Sequence, residues 1–496
     1  MTIRYDHAST VLELGKSSLL YLSIKEGGRI GIDSILLSLW QQAKARRLTA
    51  IVQDFCSDSA AYTICDAALA CLAEAGFLIR EGEKYLPAAA PGMVGDLVSV
   101  IVVGYNSRKW LPDCITSLST QNYSPLEIIL VDNASSDDSA EWVFAHAPQV
   151  RLIRSNDRQS LAFTINDGIA AASGRYFLIL NPDTRLEPDA IAQMVQVAQS
   201  DPTCAAVAAK LKFMWAPAFL NGIGNHVGAF AWGADNGLGY LDLGQFDHWD
   251  TISSACFAAT LISRSAWEKV GKLDEKFPLY YEDNEWCYRA RLMGYTIRAA
   301  PKAIVYHAFS GRVPDGTKKG MSPSKLENVV YGRLRFAIKL LSRPFLLRFL
   351  LSYTLEDLLG FVVALLQLKT GALRAYRSAW RNLMRHLPEL LSERRIVQVE
   401  RRQSDRELFT WQKQVPPPLI WHGLPVLTWD LIQHYYLPLI LSGKTRTLPE
   451  FADVEFAKVE LRSNWWVRVR LIWRNEGSQA LVHRIVKYVQ WRLAQI

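Results

Sequence analysis

Three short apolar runs, each of strand length and each followed by polar residues, constrain this chain most. They are Leu97–Val103, Glu127–Val131 and Tyr176–Leu180. A run that is apolar at successive positions, without alternation, marks a strand covered on both faces. Helical patterns lie between the runs, at Leu111–Leu118 and Ile165–Ala172, and Val150–Ile153 reads as a further strand. Strands alternating with helices predict an α/β fold with a doubly wound sheet. Ligands of such sheets sit at the carboxyl ends of the strands. Polar residues fall there: Tyr105 and Asn106 after the first strand, Asp132 and Asn133 after the second, Asn181-Pro182-Asp183 after the fourth.

No glycine-rich dinucleotide fingerprint follows the first strand, and no GxxxxGK[ST] loop is present, so the sheet must hold its ligand another way. About a hundred residues after Asp183 stands a second acidic stretch, Tyr280-Tyr281-Glu282-Asp283-Asn284-Glu285-Trp286-Cys287-Tyr288-Arg289. It reads as the start of a helix running to Leu292. A carboxylate here can take the proton of an attacking hydroxyl. Equally, an acidic first turn can simply stabilise the helix dipole.

The segment Val98–Ser107, with Leu126–Ser139, resembles the nucleotide-binding half of family 2 glycosyltransferases of the GT-A fold. Asn181-Pro182-Asp183-Thr184 is similar to their metal-binding DxD element. Tyr281–Arg289, with Gly294-Tyr295 and His307, is similar to their acceptor and base region. The subgroup it resembles includes bacterial rhamnosyltransferases of surface polysaccharides. The resemblance covers about residues 97–310. It implies a sugar-nucleotide donor and a divalent cation, Mg²⁺ or Mn²⁺, that neutralises the departing diphosphate. Asp183 is the expected metal ligand and His307 a second; His307 as a packed histidine stays open. Tyr105, Asn106, Asp132, Asn166, Asn181 and Trp286 are expected to bind substrate. Asp283 is the expected general base, with Glu282 orienting the acceptor. One base and no second placed nucleophile imply inversion at the anomeric carbon.

A chain of 496 residues is too long for one core. Residues 1–88 are expected to form a small winged-helix-like unit resembling PqqD-like domains. Residues 97–320 would be the GT-A core, 321–414 a helical, basic, membrane-associating region, and 415–496 a Trp-rich domain of unknown role. Residues 1–340 hold 33 Lys and Arg against 35 Asp and Glu, a net −2, whereas residues 341–496 hold 23 against 13, a net +10. An anionic partner for that last third follows. The helix from Leu373 carries Arg374, Arg377, Arg381 and Arg385 on one face and Leu373, Tyr376, Trp380, Leu383 and Leu387 opposite. That pattern suits a membrane surface or an ordinary core contact. Pro344–Leu368 is apolar but interrupted by Arg348, Glu356 and Asp357, so it is expected to lie in the interface or in a core, not to span. DNA binding by the first unit is disfavoured, because its second helix has no Lys or Arg. Seven cysteines without a CxxC pair, and no basic-then-apolar leader, suit a reducing cytosol.

The expected function is therefore inverting, metal-dependent transfer of a hexose or deoxyhexose, rhamnose among the candidates. The acceptor is a glycan or lipid-linked glycan at the inner face of the cell membrane. The rival is a non-catalytic scaffold with a degenerate sugar-nucleotide fold, favoured by Asn181 and Leu161 and opposed by Asp183, Glu282 and Asp283.

Overall fold

The computed structural model describes residues 4–7, 11–13, 20–23, 29–43, 46–47, 50–51, 59–80, 92–228, 231, 233–309, 321–409, 415, 418–421, 424–443 and 445. The first of these supply β1 (Arg4–His7), β2 (Val11–Glu13), β3 (Leu20–Ser23), β4 (Arg29–Ile32), α1 (Ser34–Gln42), β5 (Arg46–Arg47), α2 (Ser59–Glu74) and β6 (Leu78–Arg80). Asp33 caps α1, its Oδ1 accepting the Leu36 N–H at 2.9 Å. Gly76, at φ +81°, turns the chain out of α2 into β6. Strands β5, β1 and β6 form one small antiparallel sheet, and β2, β3 and β4 form a meander. Both expected helices are present, among more strands than a winged helix needs. The turn expected at 81–84 lies outside the described residues.

The central sheet has nine strands. It takes β7 (Met93–Gly104), β8 (Tyr123–Asp132), β9 (Val150–Arg154), β10 (Tyr176–Leu180), β11 (Thr184–Leu186), β12 (Cys204–Phe213), β13 (Ala216–Ile223), β16 (Ala259–Ser263) and β17 (Thr296–His307). The order is β11-β17-β12-β16-β10-β7-β8-β9, with β13 paired to β12. Strands β10, β7, β8 and β9 run parallel, whereas β16 is antiparallel to both its neighbours. In β7, Val98, Val100 and Val102 enter one apolar core while Ile101 and Val103 enter the other. The period of two thus buries both faces, which is why the sequence reads as one unbroken apolar run. Helices α3 (Leu111–Ser119), α4 (Ser139–His146), α5 (Leu161–Ala170) and α6 (Ala190–Gln199) cross between strands, and α7 (Arg264–Val270) and α8 (Glu282–Leu292) follow β16. The segment 212–250 contains β13 and a hairpin of β14 (Asn225–Val227) and β15 (Gly233–Asp235). Its aromatics Trp215, Phe219, Tyr240 and Trp249 are core residues; Phe230 and Trp232 lie outside the described residues.

Beyond β17 come α9 (Pro323–Leu340), α10 (Arg343–Leu366), α11 (Thr370–Glu400) and α12 (Asp405–Leu408). Among the described residues, α10 alone is long and apolar enough to cross a membrane. It is not the buried helix that was one expectation: Leu347, Leu351, Leu355, Leu358, Val362 and Leu366 are all exposed. The acids that interrupt its sequence face inward. Glu356 pairs with Arg333 of α9 at 3.0 Å, and Asp357 is buried.

The segment after 415 shares a sheet with the N-terminal meander. Strands β18 (Ile420–Trp421) and β19 (Leu424–Leu427) extend the meander, β19 parallel to β4 with Val426 opposite Gly31. The Trp429 N–H donates to Asp33 Oδ2 at 2.7 Å. A buried polar anchor and shared strand edges therefore join 419–441 to the first unit. Helical structure follows as α13 (Trp429–Leu431), a π-turn (Ile432–Tyr436) and α14 (Leu437–Leu441). The elements expected at 465–473 and 479–494, and the break at Pro416-Pro417, lie outside the described residues.

Candidate active site

The carboxyl ends of β7, β8 and β10 open on one side of the sheet. After β7, Tyr105 is exposed, with the Arg158 guanidinium 4.1 Å from its ring centroid. Asn106 adopts φ +49°, and its Oδ1 accepts the Ser136 N–H at 2.8 Å. The Asn106 amide thus ties two loops together and shapes the pocket from behind. At the end of β8, Asp132 is 1% exposed. Its Oδ2 accepts the Ser135 N–H at 3.4 Å, while Oδ1 has no partner among the described residues. A buried acceptor without a donor is costly, and a ligand N–H would relieve it.

Two residues expected to contact substrate are buried and bonded within the protein. Trp286 is 0% exposed, its indole N–H donates to the Gly271 carbonyl at 2.8 Å, and its ring stacks on Trp267. It is a core residue. Asn166 is buried and fully engaged: its Nδ2 donates to the Leu273 carbonyl and Glu275, and its Oδ1 accepts the Leu273 N–H. It pins α5 to the segment before α8.

Strand pairing assembles the next cluster. Thr184 of β11 lies opposite His307 of β17, and the Ala308 N–H donates to the Asp183 carbonyl at 2.9 Å. This sets Asp183 Oδ1 3.3 Å from His307 Nε2. His307 Nδ1 donates to Asn221 Oδ1 at 2.7 Å. In the neutral ring the lone pair is then on Nε2, facing the carboxylate, with Asn181 Nδ2 3.5 Å away. Two lone-pair groups facing each other suit a shared cation, and the Asn221 bond is the outer-shell support such a histidine uses. Among the described residues no group of three or more His, Cys, Asp or Glu could hold a metal. Asp183 and His307 would hold a divalent cation only with diphosphate oxygens and water completing the shell.

The acidic motif opens α8. Tyr280 and Tyr281 both adopt positive φ, at 71° and 72°, a strained turn for two bulky residues. The Tyr281 hydroxyl donates to the Ala231 carbonyl at 2.7 Å and fixes that turn. Asp283 Oδ2 accepts from Asn225 Nδ2 at 3.0 Å, and Oδ1 accepts the Asn284 N–H at 2.7 Å. Burial nevertheless raises the Asp283 carboxyl above the usual carboxylate range, and the charge of Asp235 raises it further. Burial, then the charge of Asp283, raises Glu282 as well, and Glu282 Oε2 has no partner among the described residues. Burial pushes Asp235 up to about 6, offset in part by His307. The same three carboxylates act on the thiol of Cys256, which burial already pushes up. Asp235, Glu282, Asp283 and Cys256 therefore lie within charge range of one another, and His307, 3.3 Å from Asp183, acts on Asp235. Sequence reasoning missed Asn221, Asn225, Asp235 and Cys256. Only the density of aromatics around them signalled an ordered segment.

Behind this cluster lies an ion network. Glu285 receives Arg289 Nε at 2.9 Å and Lys339 Nζ at 3.1 Å. Asp274 receives Arg335 Nε at 2.8 Å and Lys339 Nζ at 2.7 Å, and Arg335 also reaches Glu393 of α11 at 2.8 Å. It locks α8 against α9 and α11.

Residues 99–271 match the model of glycosyl transferase family 2. Similar proteins include the glycosyltransferase GlyG of Streptococcus pneumoniae, 34% identical over 109 residues, or 21% of this chain and 36% of that protein. The low-salt glycan biosynthesis hexosyltransferase Agl10 of Haloferax volcanii is 27% identical over 208 residues, 40% of this chain and 62% of that protein. The chain thus spans less than two thirds of either relative. Among solved structures, the mannosyltransferase PcManGT of Pyrobaculum calidifontis, in complex with GDP-Man and Mn²⁺, aligns with a TM-score of 0.38 at 16% identity, over 76% of this chain and all of that one. The matched residues include Asp132, Asp183, Asn225, Asp235 and Cys256, whereas Glu282, Asp283 and His307 lie beyond them.

Proposed function

We propose that this protein transfers a sugar from a nucleotide-activated donor to an acceptor hydroxyl, with inversion. The observation that carries this reading is the placement of Asp283. Its carboxylate is buried, held by Asn225 and Asn284, raised in proton affinity, and within charge range of Asp235, on which His307 of the Asp183–His307 pair also acts. A group so tuned is suited to general-base work near neutral pH. The acceptor oxygen attacks the anomeric carbon as the bond to the diphosphate oxygen breaks, and the hydroxyl proton passes to Asp283. One displacement with one base inverts the centre.

Asp183 and His307 would hold a divalent cation, which when bound neutralises charge on the departing diphosphate. Asp132 Oδ1, buried and unpartnered, would accept from the base ring, and Tyr105 would flank the nucleoside. Glu282 would orient the acceptor. The donor sugar is a hexose or deoxyhexose, rhamnose included, and the acceptor a glycan or lipid-linked glycan of surface polysaccharide synthesis. The basic helical region would place the enzyme peripherally at the cytosolic membrane face.

Purified protein incubated with UDP-, GDP- and dTDP-sugars, with Mn²⁺ or Mg²⁺ and an EDTA control, tests this. Metal-dependent binding or slow hydrolysis of one donor supports it. A folded protein that binds none of them refutes it in favour of a scaffold.

A further inference from the structure

The geometry points to α10 as an in-plane bilayer anchor, with the arginines of α11 as its lipid-phosphate clamp. This deepens the peripheral placement proposed above by assigning it a surface and an orientation. Leu347, Leu351, Leu355, Leu358, Val362 and Leu366 recur at intervals of three and four, so they form one stripe. The rise from Leu347 to Leu366 makes that stripe about 28 Å long. The stripe is open to solvent: Leu351 is 76% and Leu355 61% exposed. The opposite side of α10 is committed to protein through Phe349, Tyr353 and the Arg333–Glu356 pair. With one side in protein and the other bare, α10 is built to lie along a surface rather than cross it.

The turn between α10 and α11 adds a second observation. Leu368 adopts φ +52° and is 81% exposed. A non-glycine residue in that conformation is strained, yet here the strain presents an apolar side chain to solvent. Lys369 follows it, and a groove begins at once beyond. That groove, about 680 Å³, is lined by Arg374, Arg377 and Arg381 of α11 together with Ser378, Ser324 and Glu327. Three guanidiniums on the helix that follows one apolar stripe match the layered chemistry of an anionic phospholipid leaflet: phosphate outside, acyl chain within. On α11 the arginine row borders an exposed flank of Trp380, Met384 and Leu391. An indole at that border is suited to the headgroup level.

Full-length protein is sedimented with vesicles of phosphatidylcholine alone and of phosphatidylcholine mixed with phosphatidylglycerol. The mixed vesicles are expected to retain it. Leu351→Glu with Leu355→Glu should reduce retention by at least about tenfold, since two charges would enter the apolar layer. Arg374→Glu, Arg377→Glu and Arg381→Glu should each cost about fivefold on mixed vesicles and leave the weak binding to neutral vesicles unchanged. Circular dichroism and donor hydrolysis are expected to be unaltered in these variants, which separates loss of the anchor from loss of the enzyme. Retention after alkaline carbonate extraction would mean a spanning helix and overturn the in-plane placement. Self-association abolished by the Leu351→Glu and Leu355→Glu pair, with no vesicle binding by the parent chain, would mean a second copy covers the stripe and overturn the proposal too.

Discussion

Asp183 Oδ1 stands 3.3 Å from His307 Nε2, on strands that meet only because Thr184 lies opposite His307 in the sheet. Neither group has a donor to offer the other while the ring is neutral and its Nδ1 proton is held by Asn221. His307→Ala is therefore expected to weaken Mn²⁺ binding in the presence of nucleoside diphosphate. Asn221→Ala should do the same by about 10- to 100-fold, through loss of the ring's orientation. Calorimetric titration with Mn²⁺ checks both.

Removing the carboxylate of Asp283 should remove the base but not the donor pocket. Asp283→Asn is expected to lower transfer by about 10²- to 10⁴-fold. The dissociation constant for the sugar nucleotide, measured by calorimetry, should stay as in the parent protein. Normal turnover in the variant would exclude Asp283 as the base.

Rate should climb with pH through a value above the ordinary carboxylate range, because Asp283 must be ionised to act and burial with Asp235 opposes ionisation. Asp235→Asn removes one neighbouring negative charge, so that rising limb should move to lower pH. Stability runs the other way. Asp235 binds its proton more tightly folded, at about 6, than at the ordinary 3.8. Its stabilising contribution is complete below that lower value and is lost as pH rises through the upper one. Melting curves of the metal-free protein across this window should fall with pH, and less so in Asp235→Asn.

Asp274 accepts from both Arg335 and Lys339 in the interior. Asp274→Ala leaves those cations short of a counter-charge and should destabilise the protein by about 3–5 kcal/mol. Chemical denaturation checks this. A variant as stable as the parent would show that Glu285 and Glu393 satisfy both cations alone.

The strands of the sheet were legible because both faces of β7, β8 and β10 are buried, and continuous Val, Ile and Leu record that directly. The start of α8 was legible from its acids. Its side chains were not, because every residue of α8 is buried, so periodicity carries no sign of which side faces the pocket. That is why Trp286 was taken for a contact and Asn225 was overlooked. The hairpin of β14 and β15 was hidden for a related reason. Its Asn, His, Gly and Asp residues have low strand propensity, and it is held by partners far along the chain, such as Asp283 for Asn225. The pairing of β19 with β4 spans almost four hundred residues, beyond any local pattern.

That last pairing has a consequence for synthesis. The segment 419–436 closes over the loop that follows β15: the Leu419 N–H donates to the Leu238 carbonyl, and the Leu241 N–H donates to the Tyr436 hydroxyl. A ribosome that has reached residue 409 has already made every candidate catalytic group. Yet the loop after β15 still lacks its last partners, and β4 still has a bare edge. The nascent chain therefore matures its pocket late, when the segment after 419 emerges and clasps the first unit to the loop.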